Sequence, residues 1–216
     1  MPTISVNVHE ERAEAPVRAF HWRLCTMIGL LVFFDGYDTF NPAYVIHYVA
    51  VPWGLNPVQS GSLVSSGLIG FLLGAAIHGT IADRFGRRVT LLGGVWITSA
   101  FTLATAILAH SFVSFIALRV LTGLGLGALM PLGTTYINEF APRRVTNVFT
   151  LWGVGLGWSM GGTVAGLVGI FVTPHFGWQS LYYFGSLSFI LALALQIWLA
   201  ESAKFLALHH RIPEIL

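Results

Sequence analysis

The chain has 216 residues, of which 55% are hydrophobic and only 9% are charged, with a formal net charge of +2. Soluble domains average about 25% charged residues, so this composition cannot cover a surface facing water and predicts an integral membrane protein. The small net charge gives no reason to expect a nucleic-acid partner. The sequence also lacks a phosphate-binding glycine loop and metal-ligand spacings. We therefore expect neither an enzyme nor an ATP-driven pump, and we expect no bound cofactor or metal.

Residues 1–22 form a polar tail that lacks the features of a cleavable signal peptide. Six apolar segments follow, each long enough to cross the hydrocarbon core of a bilayer. They cover approximately residues 23–46, 58–82, 89–109, 112–137, 146–172 and 179–200. Asn56 and Ser111 are predicted to cap the second and fourth helices, and Pro57 suits a first helical turn. The predicted fold class is therefore all-α, a polytopic membrane protein with a six-helix transmembrane domain over residues 23–200.

The basic residues outside the predicted spans all fall on one side of the membrane if the chain crosses it six times. They are Arg12, Arg18, Arg23, Arg84, Arg87, Arg88, Arg143, Arg144, Lys204 and Arg211. The three loops on the other side contain no Lys or Arg. Because basic loops stay in the cytoplasm, we expect a multi-pass protein of the cell inner membrane with both termini cytoplasmic.

Three charged residues remain inside the predicted spans, namely Asp35, Asp38 and Arg119. A charge at membrane depth costs roughly 2.5–3.5 kcal/mol, so each is a candidate functional residue. The two aspartates share a helix face, where their repulsion favours one of them holding a proton. Arg119 is predicted at a similar depth and can bind a carboxylate through two hydrogen bonds. The alternative is a structural ion pair, but a second acid is one more than such a pair needs.

Two further patterns each have two interpretations. Tyr37, Asn41 and Tyr44 lie within about two turns of the aspartates, where they can line a pocket for an aromatic or hydroxylated ligand or can mark the outer membrane interface. Glycines recur every four residues in the fourth and fifth spans, as at Gly123 and Gly127. Such rows allow helices to pack closely, and they would also let helices slide during a conformational change.

The densest charge cluster, Gly79–Arg88, lies between the second and third spans. It resembles the G-x-x-x-D-R-x-G-R-R loop of the major facilitator superfamily of transporters, which has the same position. The segments Glu139–Arg144 and Leu199–Leu206 resemble that family's loop after the fourth helix and its segment after the sixth. The resemblance implies a gating loop formed by Gly79, Asp83, Arg84, Gly86, Arg87 and Arg88. It also implies a second cytoplasmic loop formed by Glu139, Arg143 and Arg144.

Within that superfamily, Asp35–Asp38 resembles the D-G-[FY]-D element of the aromatic acid:proton symporters, and Arg119–Pro131 resembles their fourth helix. This implies proton-coupled import of a benzoate or hydroxybenzoate, with coupling at Asp35, Asp38 and Arg119. The implied partners are a small organic anion, protons and the lipid bilayer. Symporters of sugars or aliphatic organic acids share many of these residues and are the first alternative.

The resemblance covers nearly all of this chain but one half of the family's fold. Members have about twelve helices in two six-helix halves, each made of two inverted three-helix repeats. Residues 201–216 would begin the central cytoplasmic linker. The chain then corresponds to an N-terminal half, as a fragment, a truncated gene product or a half-transporter that must dimerise, and its partner would be a second six-helix half. The alternative is a non-transporting remnant or assembly subunit. A drug-efflux antiporter is disfavoured, because Gly157-Trp158-Ser159 lacks the proline typical of those exporters.

Overall fold

The computed structural model describes residues 16–199 and residue 201, so most of the predicted tail and linker lies outside it. The described residues form long helices and no strands, which confirms the predicted all-α fold. The helices are α1 (Ala19–Val49), α2 (Pro57–Phe85), α3 (Arg87–Leu108), α4 (Phe112–Phe140), α5 (Arg143–Phe171) and α6 (Gln179–Trp198). A single helical turn, Thr173–Phe176, joins α5 to α6.

Five of these helices, α2 to α6, are long and apolar enough to cross a membrane, judged by length and composition over the described residues. Helix α1 is the longest at 31 residues, and it is less uniformly apolar because its buried positions include Asp35, Asp38 and Asn41. It contacts α5, α4, α2 and α6, so these polar residues lie inside the bundle.

The helix ends follow the predicted capping residues. The Asn56 side chain accepts a hydrogen bond from the Gln59 backbone N–H (2.8 Å), and Ser111 accepts one from Ser114 (3.3 Å), as N-caps do. The predicted loop of residues 83–88 is shorter than expected, because α2 and α3 continue into the charge cluster and only Gly86 separates them. Gly86 has φ +99° and ψ 153°, a backbone conformation essentially restricted to glycine, which lets one residue reverse the chain.

The two three-helix repeats, α1–α3 and α4–α6, pack in equivalent ways with opposite orientation. The first helix of each repeat packs along the middle helix of the other, so α1 lies on α5 and α4 lies on α2. Glycines make both contacts possible, since a Cβ at Gly123 would overlap the Gly67 carbonyl oxygen and one at Gly161 would overlap that of Phe33. The predicted glycine rows therefore act as close-packing surfaces within this bundle.

Two helices are irregular where the sequence predicted continuous spans. Helix α5 contains a π-helical turn at Leu151–Leu156, next to the point where Gly157 meets Gly29 of α1. Helix α6 is interrupted after Gly185, where Ser186 and Leu187 form a turn. A Cβ at Gly185 would lie 3.0 Å from Thr102 Cγ2, so α6 approaches α3 closely just before this break.

Candidate functional site

Asp38 and Arg119 form a buried ion pair between α1 and α4. Arg119 Nη1 donates to Asp38 Oδ1 (2.9 Å), and Nη2 donates to the Asp38 backbone oxygen (2.8 Å). The exposed fractions of the two residues are 2% and 1%. Each lies about 20 residues, or about 30 Å, from the end of its helix near the charge cluster. The prediction that these two helices bring an acid and the arginine to similar depth is confirmed.

Asp35 lies three residues before Asp38 and is as deeply buried, with 1% exposed. Neither of its carboxyl oxygens has a hydrogen-bond partner among the residues that the structure describes. An ionised carboxylate without partners is costly to bury, whereas a protonated carboxyl group carries no net charge. The two aspartates therefore have different surroundings on one helix face, which sequence spacing could not reveal.

Three more helices contribute to the surroundings of the ion pair. Thr102 of α3 donates from Oγ1 to Asp38 Oδ2 (3.0 Å), so both carboxylate oxygens are hydrogen-bonded. The Tyr182 ring of α6 lies 5.8 Å from the Arg119 guanidinium carbon, within cation–π range. On α2, Gly67 leaves space beside Arg119, because a Cβ there would lie 3.1 Å from Nη2. All three contacts were missed by sequence reasoning.

A small cavity of about 10 Å³ adjoins Arg119 on its α2 side. Its walls are Thr39, Val64, Gly67, Leu68, Phe71, Arg119 and Leu126. The Nε atom of Arg119 is buried and has no hydrogen-bond partner among the described residues. Arg119 thus keeps an unused N–H donor at Nε while its two other nitrogen atoms bind Asp38. A guanidinium with a free N–H donor can still donate a hydrogen bond to another carboxylate.

The three predicted pocket residues have different surroundings. Asn41 is fully buried, and neither amide atom has a hydrogen-bond partner in the described part of the chain. The Tyr37 hydroxyl donates to the Leu181 carbonyl oxygen (3.0 Å), and Tyr44 packs against glycines of α5. Asn41 is therefore the one of the three whose buried polar side-chain atoms have no hydrogen-bond partner among the described residues. That all three contact a ligand stays a prediction.

The residues of the predicted gating loop and of the predicted second cytoplasmic loop divide into two groups at the charged end of the bundle. Arg87 of α3 forms an ion pair with Glu139 of α4. Arg88 Nη2 donates to the Gln196 backbone oxygen of α6 (2.6 Å), and the Arg88 backbone N–H donates to Glu201 Oε1 (3.1 Å). These contacts join three helices of the bundle. The other predicted residues, except the buried turn residue, lie on the exposed surface: Gly79, Asp83, Arg84, Arg143 and Arg144.

The sequence that forms this six-helix bundle, with a charge pair in its core and a basic cluster at one end, matches a known family. The model of the Major Facilitator Superfamily matches residues 26–208. The chain belongs to the Major Facilitator Superfamily. Among its solved structures, the xylose transporter XylE from E. coli in a partially occluded inward-open conformation superposes with a TM-score of 0.82. The match covers 91% of this chain and 52% of XylE at 20% identity, which establishes the shared fold alone.

Two curated relatives are more similar in sequence than XylE is. The 4-hydroxybenzoate transporter PcaK of Pseudomonas putida is 36% identical over 208 residues, which is 96% of this chain and 46% of PcaK. The niacin transporter NiaP of Acinetobacter baylyi is 37% identical over 204 residues, covering 92% of this chain and 45% of NiaP. Both are named as transporters and not as enzymes. The chain spans about half the length of these curated relatives.

Proposed function

We propose that this chain forms the N-terminal half of a proton-coupled symporter that imports an aromatic carboxylate. The observation that carries the proposal is the buried Asp38–Arg119 pair beside an unpartnered Asp35. A lock between two helices needs one acid and one base, whereas a second buried acid without partners supplies a group for a proton. The two named relatives transport 4-hydroxybenzoate and niacin, whose common chemical feature is a carboxylate on an aromatic ring.

The two acids have separate roles in this mechanism. Asp38 is the counter-charge of Arg119 when no anion is bound. Asp35 is the proton carrier, because it is buried without a partner that would stabilise its charge. The incoming carboxylate binds Arg119 at the free Nε edge and then competes with Asp38 for the guanidinium. Asn41, whose amide atoms have no hydrogen-bond partner among the described residues, binds a polar substituent of the ligand in this proposal.

The charged end of the bundle is the cytoplasmic end in this proposal. The basic residues of that end include Arg84, Arg87 and Arg88. Short loops that carry positive charge stay in the cytoplasm. Both termini then lie in the cytoplasm, and the protein belongs to the cell inner membrane. The exposed Asp83 and Arg84 are available to contact a second six-helix half, and their role is to stabilise one of the two access states.

The first experiment measures uptake of labelled 4-hydroxybenzoate by cells that express the chain together with a second six-helix half. We expect accumulation that is competed by benzoates and not by xylose or aliphatic acids. Arg119→Lys keeps the positive charge but cannot form bidentate hydrogen bonds to a carboxylate, so uptake should fall about tenfold or more. Asp38→Asn should abolish proton-driven uptake.

The opposite results would reject particular parts of the proposal. Competition by xylose or an aliphatic acid would favour the alternative substrate classes. Full uptake by both Arg119→Lys and Asp38→Asn would reduce the ion pair to a structural role. Correctly inserted protein that transports none of the probes would favour a non-transporting assembly subunit.

A further inference from the structure

Thr102 of α3 is the residue outside α1 and α4 for which the described structure shows a hydrogen bond to the ion pair. Its hydroxyl donates to Asp38 Oδ2 at 3.0 Å, and both residues are almost completely buried. Arg119 binds the other carboxylate oxygen, Oδ1. The Asp38 carboxylate is therefore held between α3 and α4, with one oxygen bonded to each helix.

Two hydrogen bonds in different directions determine how the carboxylate is oriented. The terminal torsion of an aspartate has a broad energy profile, so a single bond to Arg119 would leave the carboxylate plane free to rotate. The bond from Thr102 to Oδ2 removes that freedom. Threonine suits this role because its β-branched side chain has few rotamers and directs the hydroxyl consistently.

The packing around Thr102 also restricts its side chain. A Cβ added at Gly185 would lie 3.0 Å from the Thr102 methyl group, so this methyl group packs against the side of α6 where Gly185 has no side chain. Rotation of Thr102 would bring a different group against α6. In the observed rotamer the methyl group faces α6 and the hydroxyl faces Asp38.

We propose that Thr102 is a positioning residue that returns Asp38 to Arg119 each time the transported anion leaves. This inference rests on the proposed function, in which the anion displaces Asp38 from the guanidinium. When bound substrate is exchanged for free substrate, the Asp38–Arg119 pair does not need to form again without an anion. Net proton-driven uptake requires it in every cycle, so Thr102 matters for net uptake and not for exchange.

The chain supplies a matched control at Thr105. Thr105 is fully buried on the same helix, but its hydroxyl donates to the Phe101 carbonyl oxygen of its own helix (2.7 Å). Thr102→Val and Thr105→Val remove the same hydroxyl with the same change in shape. Only the first removes a contact with Asp38, and Thr102→Ser restores the hydroxyl.

The test compares net uptake and exchange of labelled 4-hydroxybenzoate, with a second six-helix half supplied. Thr102→Val should lower proton-driven uptake about tenfold, as expected for loss of a hydrogen bond to a charged group, while exchange stays within about twofold. Thr105→Val should keep both activities, and Thr102→Ser should recover most of the uptake. Equal losses of uptake and exchange, or equal effects of the two valine variants, would overturn the inference.

A second measurement separates this inference from the proposed function. The purified 216-residue chain is unfolded thermally with each valine substitution, in the wild type and in the Asp38→Leu/Arg119→Met background. Thr102→Val should lower the midpoint more than Thr105→Val in the wild type alone. Equal shifts in both backgrounds would show that Thr102 does not hold Asp38. If this difference appears but no probe is transported, the proposed function fails while the contact stands.

Discussion

Replacing Asp35 and Asp38 separately by asparagine should have very different effects on stability. Asp38→Asn removes the counter-charge of Arg119, which is 1% exposed and bonded to Asp38 through two of its nitrogen atoms. Breaking a buried ion pair in this way costs about 3–5 kcal/mol, because the remaining charge is left without compensation. Asp35→Asn replaces a carboxyl group without described partners by a neutral amide of similar shape. Its cost should be within about 1 kcal/mol, as for other nearly isosteric changes.

The assay is unfolding of the purified chain in detergent by denaturant, with the wild type and both single variants measured together. The double variant gives a further check, because Asp35 is the acid nearest in sequence to Asp38. If Asp35 ionises to replace Asp38 in the Asp38→Asn variant, the double variant should lose more stability than the two single losses combined. An Asp35→Asn loss that equals or exceeds that of Asp38→Asn would refute the assignment of roles.

Three further predictions concern packing and the charged end. Gly70→Ala should destabilise the bundle by about 1–3 kcal/mol, because its Cβ would overlap the α4 backbone. The control Gly61→Ala lies on the same helix, where its Cβ meets open space, and it should not destabilise the bundle. Unfolding by denaturant compares the two variants. Gly86→Ala should cost about 1–3 kcal/mol in the same assay, because its φ of +99° excludes side chains, and no loss would contradict the single-residue turn. Glu139→Gln should change the unfolding free energy by at most about 1 kcal/mol and by less at high salt, since its ion pair with Arg87 is partly exposed; a larger, salt-independent loss would contradict this.

The charged members of the site could be predicted because charges inside a membrane are rare and costly. Asp35, Asp38 and Arg119 stood out for that reason, and helix counting brought the right two helices to one depth. Because a spacing of three residues puts both aspartates on one helix face, the sequence does not distinguish which of them binds Arg119. That choice depends on side-chain rotamers and on neighbours from other helices.

Thr102 could not be predicted, because threonine is uncharged and common in membrane helices. Thr102 and Thr105 have the same chemistry on the same helix, yet one hydroxyl binds Asp38 and the other binds its own backbone. Tertiary packing determines the difference. The turn at Gly86 was predicted as a longer loop for a related reason, since hydropathy locates apolar segments while helices continue into polar residues until the backbone forces a turn.

The central claim, that Asp35 carries the coupled proton, is tested most directly by uptake with and without an inward proton gradient. The measurement uses labelled 4-hydroxybenzoate in vesicles that contain the chain and a second six-helix half. The wild type should accumulate the label only with the gradient, and Asp35→Asn should lose this accumulation while it still exchanges label across the membrane. Gradient-dependent accumulation that survives in Asp35→Asn would contradict the account.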